Sequence, residues 1–296
     1  MTMNLRAILT LSLFSISLQA HAQQDIPPFL EPLAEEAVCG ATEMESTGTL
    51  RYCIQEGDRN HVILMFHGVF NNEDAYQTTI YTNLRKNILK TGKKPTMITM
   101  SIGRVMFLNG LTGLNGKSDV QEVIGAIATT LRKTGYGELG RANVDLVGES
   151  MGGHNSIMMY LRAPNLFKKF ALMCPALTTT SPFVPEVQWL KRMDVSAEWY
   201  RSLSFKKAMQ FFFGSEQNWI QASPIHFAAK WYLPLKNPGP IFVAQVEKDY
   251  FGFNSGDRAF VALMKRKGHV VQESITTGAE HCFIDSESFA RFLTAQ

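Results

Sequence analysis

Residues 144–153 read Val144-Asp145-Leu146-Val147-Gly148-Glu149-Ser150-Met151-Gly152-Gly153. Val144–Val147 is a short run of the kind that forms a strand buried inside a parallel sheet. Met151–Arg162 reads as a helix that must stop before Pro164. Between the two sits G-x-S-x-G, from Gly148 to Gly152. A serine on a sharp strand-to-helix turn has strained backbone angles, and its Oγ is pushed above the sheet. Gly148 and Gly152 are needed because a Cβ at either would strike the neighbouring strand and helix. The helix that starts there points its first N–H groups at negative charge developing on a substrate. Ser150 is therefore the expected nucleophile.

Working outward, strand-like and helix-like runs alternate. Strands are expected at Thr49–Ile54, His61–Phe66, Thr96–Ile102, Phe170–Cys174, Ile241–Val246 and Val270–Ile275. Helices are expected at Glu73–Lys90 after Asn71-Asn72, at Ser118–Lys133 with Ser118 as N-cap, at Ser255–Lys267 and at Ser286–Thr294. Alternation of this kind indicates an α/β fold with a largely parallel sheet. From Thr180 to Pro240 the alternation breaks. Two helical pieces, about Pro185–Arg201 and Ser204–Phe213, are expected there, with Trp189, Trp199, Phe211, Phe212, Phe213, Trp219 and Trp231 among them. This reads as an insertion over the sheet edge where α/β proteins bind ligands. Most of its aromatics are expected to pack the insertion onto the body, with one or two lining a pocket.

With these elements in place, the chain resembles the α/β-hydrolase superfamily over most of its length after the first 22 residues. The resemblance implies an α/β-hydrolase fold over 23–296, with a helical cap at 180–240, and a triad in the chain order Ser, acid, His. It implies an oxyanion hole made by the N–H of Met151 and a second N–H from His67-Gly68-Val69-Phe70, namely that of Val69. His67 then braces the loop and is not the base. The base belongs after the last strand, where His281 lies; His269, His226, His154 and His61 are worse placed. The acid belongs after Ile241–Val246, where Asp249 is the choice and Asp257 the runner-up, since loops there vary in length. Gly148 to Leu177, with S-M-G-G and P-x-x-F, looks like the esterase D group. Ser223-Pro224-Ile225-His226 is similar to a segment of the prolyl-oligopeptidase-like hydrolases. Glu149 departs from the His or aromatic residue commoner beside the nucleophile, and is read as tuning pocket charge or capping a polar network.

The N-terminus and the composition set the context. Arg6, an apolar run of ~12 residues from Ala7 to Leu18, and Ala20-His21-Ala22 make a secretory signal peptide over 1–22, too short to span a bilayer. Gln23–Ala34, with three prolines, is expected as an extended arm. Export implies an oxidising compartment, periplasmic or extracellular, without a stable membrane anchor. Cys39 and Cys53, flanking Gly40–Thr49, and the distant Cys174 and Cys282 are then expected as disulfides; four free thiols is the alternative, since sequence does not fix pairing. A Cys174–Cys282 bridge would clamp the histidine loop over Ser150. Over 296 residues the charge is only +3, with 45% hydrophobic and 19% charged residues. Disorder is excluded, and no basic footprint for nucleic acid is present.

The expectation is an exported serine hydrolase acting on small-molecule esters through an acyl-enzyme, without metal or organic cofactor and with oligomeric state unread. Acyl transfer or peptide cleavage on the same triad, and a catalytically idle binding protein of the same fold, are the competing readings.

Overall fold

The computed structural model describes residues 37–46, 48–69, 71–102, 107–110, 118–193, 199–278 and 280–295. The expected signal peptide, 1–22, and the expected extended arm, 23–34, lie outside them. Eight strands form one sheet: β1 (Val38–Glu43), β2 (Thr49–Gln55), β3 (Asp58–Phe66), β4 (Pro95–Ser101), β5 (Val144–Glu149), β6 (Phe170–Met173), β7 (Ile241–Val246) and β8 (Val271–Thr276). Their order is β1-β2-β4-β3-β5-β6-β7-β8. Pairing is parallel from β4 through β8 and antiparallel at β1–β2 and β2–β4.

Alternation along a strand sends side chains to opposite faces, and β3 shows the consequence. Val62, Leu64 and Phe66 enter one core with α2 (Asp119–Lys133), α3 (Ser150–Arg162), α7 (Pro224–Lys230) and α8 (Asn254–Arg266). Ile63 and Met65 enter the other, with α1 (Thr79–Lys90) and α9 (Ser286–Thr294). Every residue of β4, β5, β6 and β7 is buried, which explains their continuous apolar reading. β3 has β4 on one side and β5 on the other, so the loops leaving β3 and β5 part and open a crevice at the strand ends.

Several boundaries differ from expectation. β1 was not anticipated. It pairs with β2 so that Cys39 stands opposite Cys53, making the supposed polar loop part of a hairpin. The helix expected at Glu73–Lys90 divides into a 3-10 turn, Glu73–Gln77, capped by Asn72, and α1. Ser118 does cap α2, in a reciprocal box with Gln121. The insertion holds four described helices, not two: α4 (Glu186–Met193), α5 (Trp199–Phe213), α6 (Glu216–Ala222) and α7. Residues 194–198, within the expected Pro185–Arg201 helix, lie outside the described residues. Trp189, Phe213 and Trp219 are buried with Phe107, Phe251 and Phe253 in a separate apolar cluster. Trp199, Phe211, Phe212 and Trp231 are exposed.

Lys169, just before β6, is buried and donates from Nζ to the carbonyls of Phe292 (2.8 Å), Leu293 (2.9 Å) and Ala295 at the end of α9. Among the described residues, no helix is long and apolar enough to cross a membrane.

Candidate active site

Ser150 follows the last residue of β5 and opens α3 with φ 50°, a left-handed value that costs a non-glycine residue about 1 kcal/mol or more. Its carbonyl accepts the N–H of Ala176 at 2.8 Å, which ties the turn to the chain beyond β6. The neighbouring glycines are there for want of room. A Cβ on Gly148 would lie 2.5 Å from the Gly152 carbonyl oxygen and 2.6 Å from Ser156 Oγ. One on Gly152 would meet the carbonyl of Phe66, and one on Gly153 would lie 2.8 Å from Pro175 Cβ. The constraint at Gly153 was not read from the sequence, although the G-G pair was visible. Met151 is in the first turn of α3, where backbone N–H groups have no intrahelical acceptor.

The loops after β7 and β8 bring two groups to this serine. His281 Nε2 lies 2.7 Å from Ser150 Oγ, and its Nδ1 lies 2.5 Å from Asp249 Oδ2. With Nδ1–H donating to the carboxylate, Nε2 is left to accept the serine proton. Asp249 is buried and fixed on its other side: Oδ1 accepts the Phe251 N–H at 2.7 Å, and its own N–H donates to Asn254 Oδ1 at 2.9 Å. Asn254 Nδ2 donates to the carbonyls of Val246 (2.5 Å) and Glu247 (3.0 Å), closing the acid loop on the end of β7. The rings of Phe251, Phe253 and Tyr250 surround the imidazole at 5.0, 5.5 and 5.8 Å between centroids. Sequence reading found none of these supporting residues, because each acts through a partner set by the fold.

Asp257 is in the first turn of α8, buried, with Oδ1 lacking a hydrogen-bond partner. Burial, with the Asp249 charge adding, pushes its carboxyl well above the usual carboxylate range. The carboxyl group that meets His281 is that of Asp249, not Asp257. The other histidines are engaged elsewhere. His61 pairs with Asp145 (2.9 Å), His226 with Ser223 Oγ (3.0 Å) and His269 with Tyr232 (2.9 Å). His154 is wholly buried beside Phe107, and desolvation lowers its pKa to about 4.

The loop after β3 lies against Ser150. Burial lowers the pKa of His67, and its Nδ1–H donates to the Gly68 carbonyl at 2.7 Å. A Cβ on Gly68 would stand 3.2 Å from Glu149 Oε1 and 3.4 Å from Ser150 Cβ. The Gly68 N–H donates to Glu149 Oε2 at 3.1 Å. Val69, the next residue, is partly exposed at the crevice.

Both expected disulfides are present, Cys39–Cys53 and Cys174–Cys282. Cys174 and Cys282 take left-handed backbone angles, φ 42° and 65°. Their sulfurs and a ring nitrogen of His281 lie within 4.8 Å of one another, a grouping that resembles a metal site. Sulfurs joined to each other offer no thiolate to an ion. The arrangement as a whole can pass a proton from a buried hydroxyl to an imidazole oriented by a carboxylate.

Comparison with known proteins fits this geometry. Residues 43–232 match the family model Esterase, described as "Putative esterase". The match contains Ser150 and the loop after β3 and ends before Asp249 and His281. No curated protein matches the sequence. Among solved structures, an esterase of Pyrobaculum calidifontis superposes with a TM-score of 0.64 at 17% identity, covering 98% of this chain and 93% of that one. A fungal esterase from Rhizomucor miehei gives 0.63 at 16% identity, covering 95% and 89%. A thermostable carboxylesterase cloned from a metagenomic library gives 0.59 at 16%, covering 90% and 92%. At such identities the likeness speaks for the fold, which is that of the α/β-hydrolases.

Proposed function

The chain belongs to the Esterase family, and on that premise we propose that it cleaves carboxylic esters through a Ser150–His281–Asp249 triad. The hydrogen-bonded run Ser150 Oγ to His281 Nε2 (2.7 Å) and His281 Nδ1 to Asp249 (2.5 Å) carries this reading. Ser150 attacks the ester carbonyl while His281 takes its proton. The oxyanion is held by the N–H groups of Met151 and Val69, and His281 returns the proton to the departing alcohol. Water, deprotonated by His281 in its turn, then releases the acid from the acyl-enzyme. Asp249 holds the tautomer and stabilises the imidazolium. The aromatic rings around His281 exclude water and strengthen those interactions. The apolar cluster that Met151 joins, with Phe107, Phe213 and Trp219, favours an uncharged acyl or alcohol group.

The mature protein is proposed to be exported and to begin near Gln23, as one α/β-hydrolase domain whose residues 180–240 form a cap. Two disulfides support an oxidising compartment. N-terminal sequencing of protein recovered outside the cytoplasm tests this; a mature chain starting at Met1 overturns it. For the chemistry, Ser150→Ala should abolish turnover of p-nitrophenyl acetate and labelling by a fluorophosphonate probe. Turnover at the parental rate in that variant would refute the assignment.

A further inference from the structure

Glu149 is the polar residue of the nucleophile turn that the proposed chemistry leaves unused. It is buried, one residue before Ser150, at the end of β5. We infer that its carboxylate is a positioning residue for the oxyanion loop: by holding the Gly68 N–H it sets the peptide that follows, so that Val69 N–H faces the ester carbonyl. This inference rests on the functional reading above.

Three observations carry it. The carboxylate spans from the strand that bears the nucleophile to the loop that bears the second oxyanion donor, through one hydrogen bond, Gly68 N–H to Oε2 at 3.1 Å. Contact there is close, since a Cβ on Gly68 would lie within 3.2 to 3.4 Å of both the Glu149 carboxyl and Ser150 Cβ. Finally, Tyr81, fully buried on α1, braces the root of the same loop: its hydroxyl donates to the Phe66 carbonyl at 3.5 Å. Burial, with the Glu149 charge adding, raises the phenol well above its ordinary pKa. His67 fixes the same glycine from the carbonyl side at 2.7 Å, so both polar atoms of Gly68 are held. Peptide planarity then restricts the direction of the next N–H.

A carboxylate here is otherwise a liability. Negative charge near a developing oxyanion opposes it, so what the residue provides must be acceptance of a hydrogen bond. Gln at this position keeps an acceptor for Gly68 without the charge, whereas Ala leaves the buried Gly68 N–H without its partner. A misplaced oxyanion donor weakens transition-state binding and leaves ground-state binding almost untouched.

The test is steady-state hydrolysis of p-nitrophenyl acetate by the parent, Glu149→Ala, Glu149→Gln, Tyr81→Phe and Ser150→Ala, each checked for folding by circular dichroism. Glu149→Ala should lower kcat by about 10- to 100-fold, the range expected for a donor displaced by about 1 Å, with KM within about three-fold. Glu149→Gln should recover most of that loss, and Tyr81→Phe should show a smaller fall, of a few-fold, again in kcat. Parental kcat in Glu149→Ala, an equal loss in Glu149→Gln, or a change confined to KM overturns the inference. Should Glu149→Ala fail to fold, Glu149→Asp decides, since it keeps the charge but withdraws the acceptor from the Gly68 N–H, and parental kcat in it overturns the inference. Turnover surviving in Ser150→Ala would instead bring down the functional reading on which the inference stands.

Discussion

Removing the two disulfides separately should have effects that differ in kind. Cys174–Cys282 closes a loop of 108 residues and Cys39–Cys53 one of 14. Loop-closure entropy gives the long bridge about 4.8 kcal/mol of stabilisation and the short one about 3 kcal/mol. Against the 5–15 kcal/mol typical of a domain, the Cys174→Ala/Cys282→Ala protein should be marginal and the Cys39→Ala/Cys53→Ala protein comfortable. The functional difference is larger. The short bridge joins a hairpin at the far edge of the sheet, whereas Cys282 adjoins His281 and Cys174 follows β6, the strand paired with the one that leads into Ser150. Without the long bridge, a drift of about 1 Å in the imidazole would cost about 100-fold in kcat. Urea unfolding and p-nitrophenyl acetate turnover, both at low temperature where each protein is folded, measure the two effects. The expected result is a larger loss of stability and a 10- to 100-fold loss of kcat in the long-bridge variant, with kcat within two-fold for the short-bridge one. Equal kcat in both would show that the long bridge is a staple without a role in positioning. A larger stability loss from the short bridge would refute the entropy argument.

Two predictions concern buried ionisable groups. Asp257 is raised in the folded chain, so the folded state refuses to ionise where the unfolded chain does. Its contribution is complete below the unfolded pKa near 4 and is lost as pH rises, by about 1.4 kcal/mol per unit until the folded pKa is passed. Asp257→Asn should therefore gain thermal midpoint over the parent by a margin that widens from pH 5 to pH 8; a constant margin counts against it. His154 behaves in the opposite sense, with a folded pKa of about 4. Its contribution is complete above pH 6.5 and declines toward pH 4, by about 3 kcal/mol in all. His154→Phe, suited to a site beside Phe107 and Phe213, should flatten the acid limb of the urea midpoint against pH, and an unchanged limb would show that other groups set it.

How much of this was legible depended on whether the signal was local. Ser286–Thr294 matches the expected bounds, and its start is a local signal, since Asp285 caps it through the N–H groups of Glu287 and Ser288. β1 was not legible: Val-Cys-Gly-Ala-Thr-Glu at a sheet edge, mostly exposed, has no alternating pattern to read. In the cap, α5 is apolar on several faces and offers little helical periodicity, so its neighbours were merged or missed. The stop and start signals were nonetheless present. Gly214 takes φ 67°, Ser215 caps α6, and Ser223-Pro224 opens α7, although the last had been read only as a family likeness. Strand-end position singled out Asp249, but only the fold shows which carboxylate reaches His281. Glu149 and Tyr81 are 68 residues apart, and no local rule joins them.

The ammonium of Lys169 has a practical bearing on how the protein can be handled. Its acceptors are the carbonyls of Phe292, Leu293 and Ala295 at the end of α9, a helix that begins five residues after His281. A tag, a surface linker or a truncation that frays this final turn leaves a cation inside the protein without acceptors. The slack would be transmitted up one short helix to the loop that carries His281. Attachment at the amino-terminal side of β1 avoids that route, since β1 lies at the opposite edge of the sheet.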